Sequence, residues 1–185
     1  MRYAICVMVI FLTGCVGPGG ISEVVLTGSN QFPQVKGEDL TGASQWLPAG
    51  FQGKVNVVAI GFERSHQALI EQWHATLMPI LAESPEVRFY EVPVIYEMNT
   101  VKRLWLNNVM GLYVTDNDAK RRTVTVYTDR KKFAQHLDVS LQAPSLLILD
   151  KQDHVAWKSS GPISQLQYMK IRGMLRRLLN AKATA

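Results

Sequence analysis

Residues 55–62 read VNVVAIGF, an apolar run interrupted only by Asn56 and Gly61. The run does not alternate, so both faces of whatever it forms must be covered. A strand of this kind belongs inside a sheet flanked by helices on both sides. The run constrains the chain to a doubly covered strand, and strand–helix alternation in the remainder would make it an α/β layered domain.

The rest of the sequence meets that demand. Over Ser65–Ala82, Leu69, Trp73, Leu77 and Ile80-Leu81 share one helical face, with Ser65 placed to cap the start. Pro79 is expected to kink this helix, and Ser84-Pro85 ends it. Val87–Tyr96 is a second strand, with Pro93 suggesting an edge or a bulge. Val101–Met110 is a short helix ended by Gly111. Thr123–Thr128 alternates and is β-branched, a third strand, and Asp129 caps a short helix to Leu137. Ser145–Asp150 and His154–Trp157 form a hairpin about Lys151-Gln152-Asp153. A closing helix over Ser164–Ala181 should bury Leu166, Met174, Leu175, Leu178 and Leu179. The order predicts one domain over residues 39–185: a central mixed sheet in three layers with flanking helices.

A chain of 185 residues with 47% hydrophobic residues can bury a core and is not intrinsically disordered. Its two cysteines, Cys6 and Cys15, are too few for a disulfide-stapled scaffold. Their placement says more. Residues 1–14 carry Arg2, then an apolar stretch from Tyr3 to Leu12 too short to span a bilayer as a permanent helix. This is the pattern of a signal peptide. Leu12-Thr13-Gly14-Cys15 resembles the lipobox of bacterial lipoproteins, and that resemblance implies cleavage before Cys15 and acylation of the cysteine, with palmitate-type chains as the anchor. An ordinary secretory signal is the alternative. The position after the cysteine is Val16 rather than Asp, which leans toward the outer membrane. Residues 15–38 read as the lipidated cysteine and a Gly-, Ser- and Pro-rich tether.

The strand order resembles the thioredoxin-like fold. In that family the first core strand enters a helix through a Cys-x-x-Cys loop, and a cis-proline before the later hairpin faces that loop. The loop here is Glu63-Arg64-Ser65-His66 and the matching proline is Pro144. No cysteine follows Cys15, so the resemblance carries neither thiol–disulfide exchange nor peroxide reduction. The segment 144–161, PSLLILDKQDHVAWKSSG, is also similar to the mitochondrial ATP synthase assembly factor family. Asp150, Trp157 and Gly161 match its pattern, with Ala156 where that family has arginine.

The remaining chemistry is sparse. His66 and His74 could share a helix face, but no third ligand accompanies them in a metal-binding spacing. No phosphate-cradling glycine loop and no hydrolase elbow occur. Asp116-Asn117-Asp118 reads as a turn. Basic residues cluster at 120–122, at 130–132 and along the closing helix, within a formal net charge of +5. That charge suits a solvated face or anionic lipid; nucleic acid is not expected of an exported chain.

These observations predict a lipid-anchored, periplasm-facing envelope protein without redox chemistry and without a metal or other cofactor. Its expected work is binding, as an assembly or chaperone-like factor for an envelope protein, not catalysis. Glu63, Arg64, Ser65, His66 and Pro144 would line the partner groove. The alternatives are a cysteine-free enzyme or metal-binding protein using His66, and a structural envelope lipoprotein.

Overall fold

The computed structural model describes residues 30–181. The expected signal segment, Cys15 and most of the tether lie outside the described residues. The first two strands, β1 (Val35–Asp39) and β2 (Ser44–Leu47), form a hairpin. Next come β3 (Val55–Gly61), a 3-10 turn at Arg64–His66, α1 (Gln67–Glu83) and β4 (Val87–Ile95). Two helices, α2 (Thr100–Tyr113) and α3 (Asn117–Arg122), lead to β5 (Val124–Tyr127). The chain closes with α4 (Arg130–Leu137), β6 (Ser145–Leu149), β7 (Val155–Ser159) and α5 (Gln165–Asn180).

All seven strands join one sheet in the order β2-β1-β5-β4-β3-β6-β7. The β3–β4 and β4–β5 pairs are parallel, and the other neighbours are antiparallel. Every residue of β3 is buried. Its side chains divide with the strand period: Val58 and Ile60 join one core, Val55, Val57 and Ala59 the other. The first core takes Phe32, Phe51, Tyr90 and Phe133, the last from α4. The second is closed by Trp73 and Leu77 of α1 and Ile171 and Leu175 of α5.

Several expectations change. The tether does not run to Glu38, because Val35–Asp39 is strand β1, paired to β5 as well as β2. Gly37 is needed there: a Cβ would sit 2.5 Å from Val124 Cγ1. Pro93 is not on an edge strand, since β4 lies between β3 and β5. It pairs with Gly61, the last residue of β3, so its missing N–H falls where that ladder ends. Ser65 does not cap α1; the 3-10 turn intervenes and His66 takes the cap position. The helix continues through Pro79. Residues 117–122 are a helix, with the Asp116 carboxylate accepting from the Ala119 N–H at 2.8 Å. On α5, Leu166 is exposed and Ile171 takes a core position. Ser164 and Gln167 close that helix's start as a reciprocal capping box, and Asp129 caps α4 as expected.

Candidate functional site

In parallel α/β sheets the carboxyl ends of the strands form the usual ligand crevice. Here that end gathers the loop after β3, the residue after β4 and the start of α4. The 3-10 turn is held by His66. The Phe62 N–H donates to its Nδ1 at 3.2 Å, and the His66 N–H donates to the Glu63 carbonyl at 3.0 Å. His66 is buried while Glu63, Arg64 and Ser65 are exposed. The histidine is thus a structural clasp, and the three residues before it form the outer surface. Pro144 reaches the same sheet end, because its neighbour Ser145 pairs with Ile60 of β3. It is buried, and its peptide bond is trans; among the described residues the only cis bond is Leu47–Pro48.

The centre of this region is Arg130, which sequence reasoning placed only in a basic run. It is 9% exposed. Its guanidinium lies 4.4 Å from the Tyr96 ring centroid and 5.7 Å from that of Phe62. The nearest carboxylate, Glu63, stands 3.8 Å from Nη2, too far for a hydrogen bond. Its Nε is buried and has no hydrogen-bond partner. Ring contacts of this type contribute about 0.5–2 kcal/mol. Desolvating a guanidinium costs several kcal/mol unless its donors are paired. The arrangement therefore leaves buried donor capacity at the crevice. The readable signal was position: a basic residue directly after the capping Asp129, at the carboxyl end of an inner strand.

Beside it, α2 is pinned by polar groups. The Tyr127 hydroxyl donates to Asn107 Oδ1 at 2.9 Å, and Asn107 Nδ2 donates to Glu38 Oε2 at 3.0 Å. Burial, then the charge of Glu38, pushes the Tyr127 hydroxyl up to about 12. Arg103, one turn before Asn107, stacks over the Tyr127 ring at 4.8 Å. The opposite stripe carries Val101, Leu104, Trp105 and Leu112, with exposures of 78%, 61%, 66% and 80%. Tyr113 and Tyr96 add further exposed aromatic surface. Isolated apolar residues on a surface are ordinary, but a helical stripe of them marks an interaction face.

Asp150, Trp157 and Gly161 have structural roles in this geometry. The Asp150 Oδ1 accepts from the N–H groups of Gln152 and His154 at 2.9 and 3.0 Å and so shapes the hairpin turn. Trp157 is half-buried against the second core. Gly161 adopts φ +85°, and its carbonyl accepts from Trp73 Nε1 at 2.9 Å. The basic face of α5 is partly spent internally, since Arg172 and Arg176 both donate to Glu83, at 2.6 and 3.0 Å. A cavity of about 240 Å³ lies between Pro79 of α1 and Tyr168 of α5, and a second of about 130 Å³ beside Arg172 and Leu179. Neither is lined by the residues predicted for the groove. Among the described residues no three His, Cys, Asp or Glu side chains are grouped to share a metal ion, and no helix is long and apolar enough to cross a membrane.

No protein-family model matches the chain. No curated protein matches it in sequence. Solved structures do. BsSco, a member of the Sco family of cytochrome c oxidase assembly proteins, superposes with a TM-score of 0.55 at 12% identity, covering 88% of this chain and 99% of that one. The thioredoxin domain of a thiol-disulfide oxidoreductase from Bacteroides vulgatus gives 0.50 at 14% identity, covering 80% and 98%. The chain therefore has the thioredoxin-like fold, and at these identities the likeness is one of fold. The loop after β3 holds Glu63-Arg64-Ser65-His66, and residues 30–181 contain no cysteine.

Proposed function

We propose that this protein is a lipid-anchored binding factor of the bacterial envelope, working without redox chemistry on another envelope protein. The observation that carries the reading is α2, whose apolar stripe faces outward beside an open strand end. Burying Leu104, Trp105 and Leu112 against a partner would stabilise the contact by roughly 1.5–3 kcal/mol per side chain. The absence of cysteine from residues 30–181 supports binding rather than thiol chemistry. The lipobox-like Leu12-Thr13-Gly14-Cys15 supports the anchor. The similarity to BsSco adds that this fold serves in a protein of an assembly family.

Photo-crosslinkers at Trp105 and Leu112 in intact cells test the reading, with exposed Lys170 on α5 as control. The expected result is one discrete envelope protein captured from both α2 positions and not from Lys170. Capture of lipid alone, or equal yields at all three positions, would refute it.

A further inference from the structure

We infer that Arg130 is the receptor for a carboxylate carried by the bound polypeptide, an inference that rests on the binding role proposed above. A guanidinium offers five donors in a planar fork that matches a carboxylate. In this structure the residue is 9% exposed, its Nε has no partner, and its one carboxylate neighbour among the described residues stays at 3.8 Å. Two aromatic rings lie against the guanidinium, and rings do not satisfy its N–H donors as an oxygen would.

Glu63 supplies the route in. Its side chain is 58% exposed and rides on the outer loop, while Arg130 is fixed at the base of α4. The loop carboxylate acts as a loose placeholder: it balances the buried charge without docking. An incoming Asp or Glu side chain, or a chain-terminal carboxylate, would displace it toward solvent and take both fork positions. Tyr96, 56% exposed, adds apolar surface directly against the guanidinium. The combined surface selects an acidic group next to apolar residues.

The test follows the Arg130 Nε–H resonance by NMR in the full chain held in detergent micelles, assigned by its loss in Arg130→Lys. The probes are acetyl-Gly-Asp-Gly-amide, its Asn counterpart and inorganic phosphate. The Asp peptide should shift the resonance saturably, and the Asn peptide should bind about tenfold more weakly. Glu63→Gln removes the placeholder charge and should tighten the Asp peptide about threefold, without disturbing the ring contacts. A resonance unmoved by the Asp peptide in both wild type and Glu63→Gln overturns the inference. So does equal binding of the Asn peptide, or a response to phosphate alone. If these fail while Trp105 still captures one partner, the binding role stands and only the carboxylate receptor falls.

Discussion

Helices α1 and α2 flank the same sheet and use their apolar residues in opposite ways. On α1, Ile70, Trp73, Leu77 and Ile80 point inward and are buried with α5 behind the sheet. On α2 the only buried residue is Asn107, tied to Tyr127 and Glu38, while Leu104, Trp105 and Leu112 face out. An inward apolar stripe stabilises the fold. An outward one contributes almost nothing to it and is retained at a cost in solubility. Binding is the role proposed above for this surface.

If that contrast holds, substitutions on the two helices must separate stability from capture. The largest effect is expected at α1: Trp73→Ala removes a fully buried ring and its bond to Gly161, and should cost about 3–5 kcal/mol in denaturant unfolding. A loss below 1 kcal/mol would show that α1 is not the anchoring helix. Next is the polar pin. Asn107→Ala leaves the Tyr127 hydroxyl and the Glu38 carboxylate without this partner, and should cost about 1–3 kcal/mol. It should also release α2, seen as faster amide exchange over 100–113; unchanged exchange would mean that the helix is held otherwise.

A smaller effect concerns His74, which stacks on Phe89 with ring centroids 4.7 Å apart. Burial, aided by the charge of Arg122, lowers its pKa from the ordinary 6.5. The unfolded chain then takes up a proton near that value while the folded chain does not. Stability contributed by neutral His74 is full above about pH 6.5 and is lost as pH falls through that point toward the lower folded pKa. His74→Gln should therefore flatten the melting-temperature profile between about pH 7.5 and 5.5. An identical slope would contradict the half-buried neutral ring. The smallest stability effect belongs to α2: Trp105→Ser and Leu112→Ser should stay within about 0.5 kcal/mol of wild type. The same two changes should abolish capture of the partner, and a marked loss of stability would mean that the stripe is core after all.

What could be read from the sequence follows the same division. The run 55–62 announced a two-sided strand, and Asp129 and Ser164 announced helix starts, because burial and capping are local chemistry. Strands β1 and β2 read VKGED and SQWL, with little apolar alternation; β2 pairs only with β1 in a local hairpin, and β1 joins the sheet through the distant β5. Helix α3, NDAKRR, has no buried residue and so no stripe to detect. Periodicity locates an apolar face on α2 but does not state what covers it. The loop 63–66 follows β3, and Pro144 precedes the Ser145 that pairs with Ile60 of that strand, but its bond is trans where the resemblance has a cis proline. Arg130 was concealed in a basic run, because its distinction is depth, and depth is a property of the folded sheet.

The β1–β5 pairing also sets an order in time. Gly37 meets Val126, and Gln31 bridges to His154, both pairs far apart in the sequence. A chain made from its amino terminus holds β1 and β2 ready long before their sheet partner exists. Closing so long a loop is entropically costly and slow. Until β5 arrives, the early hairpin has an unsatisfied edge, and any factor that shields nascent strands would find its first client surface there.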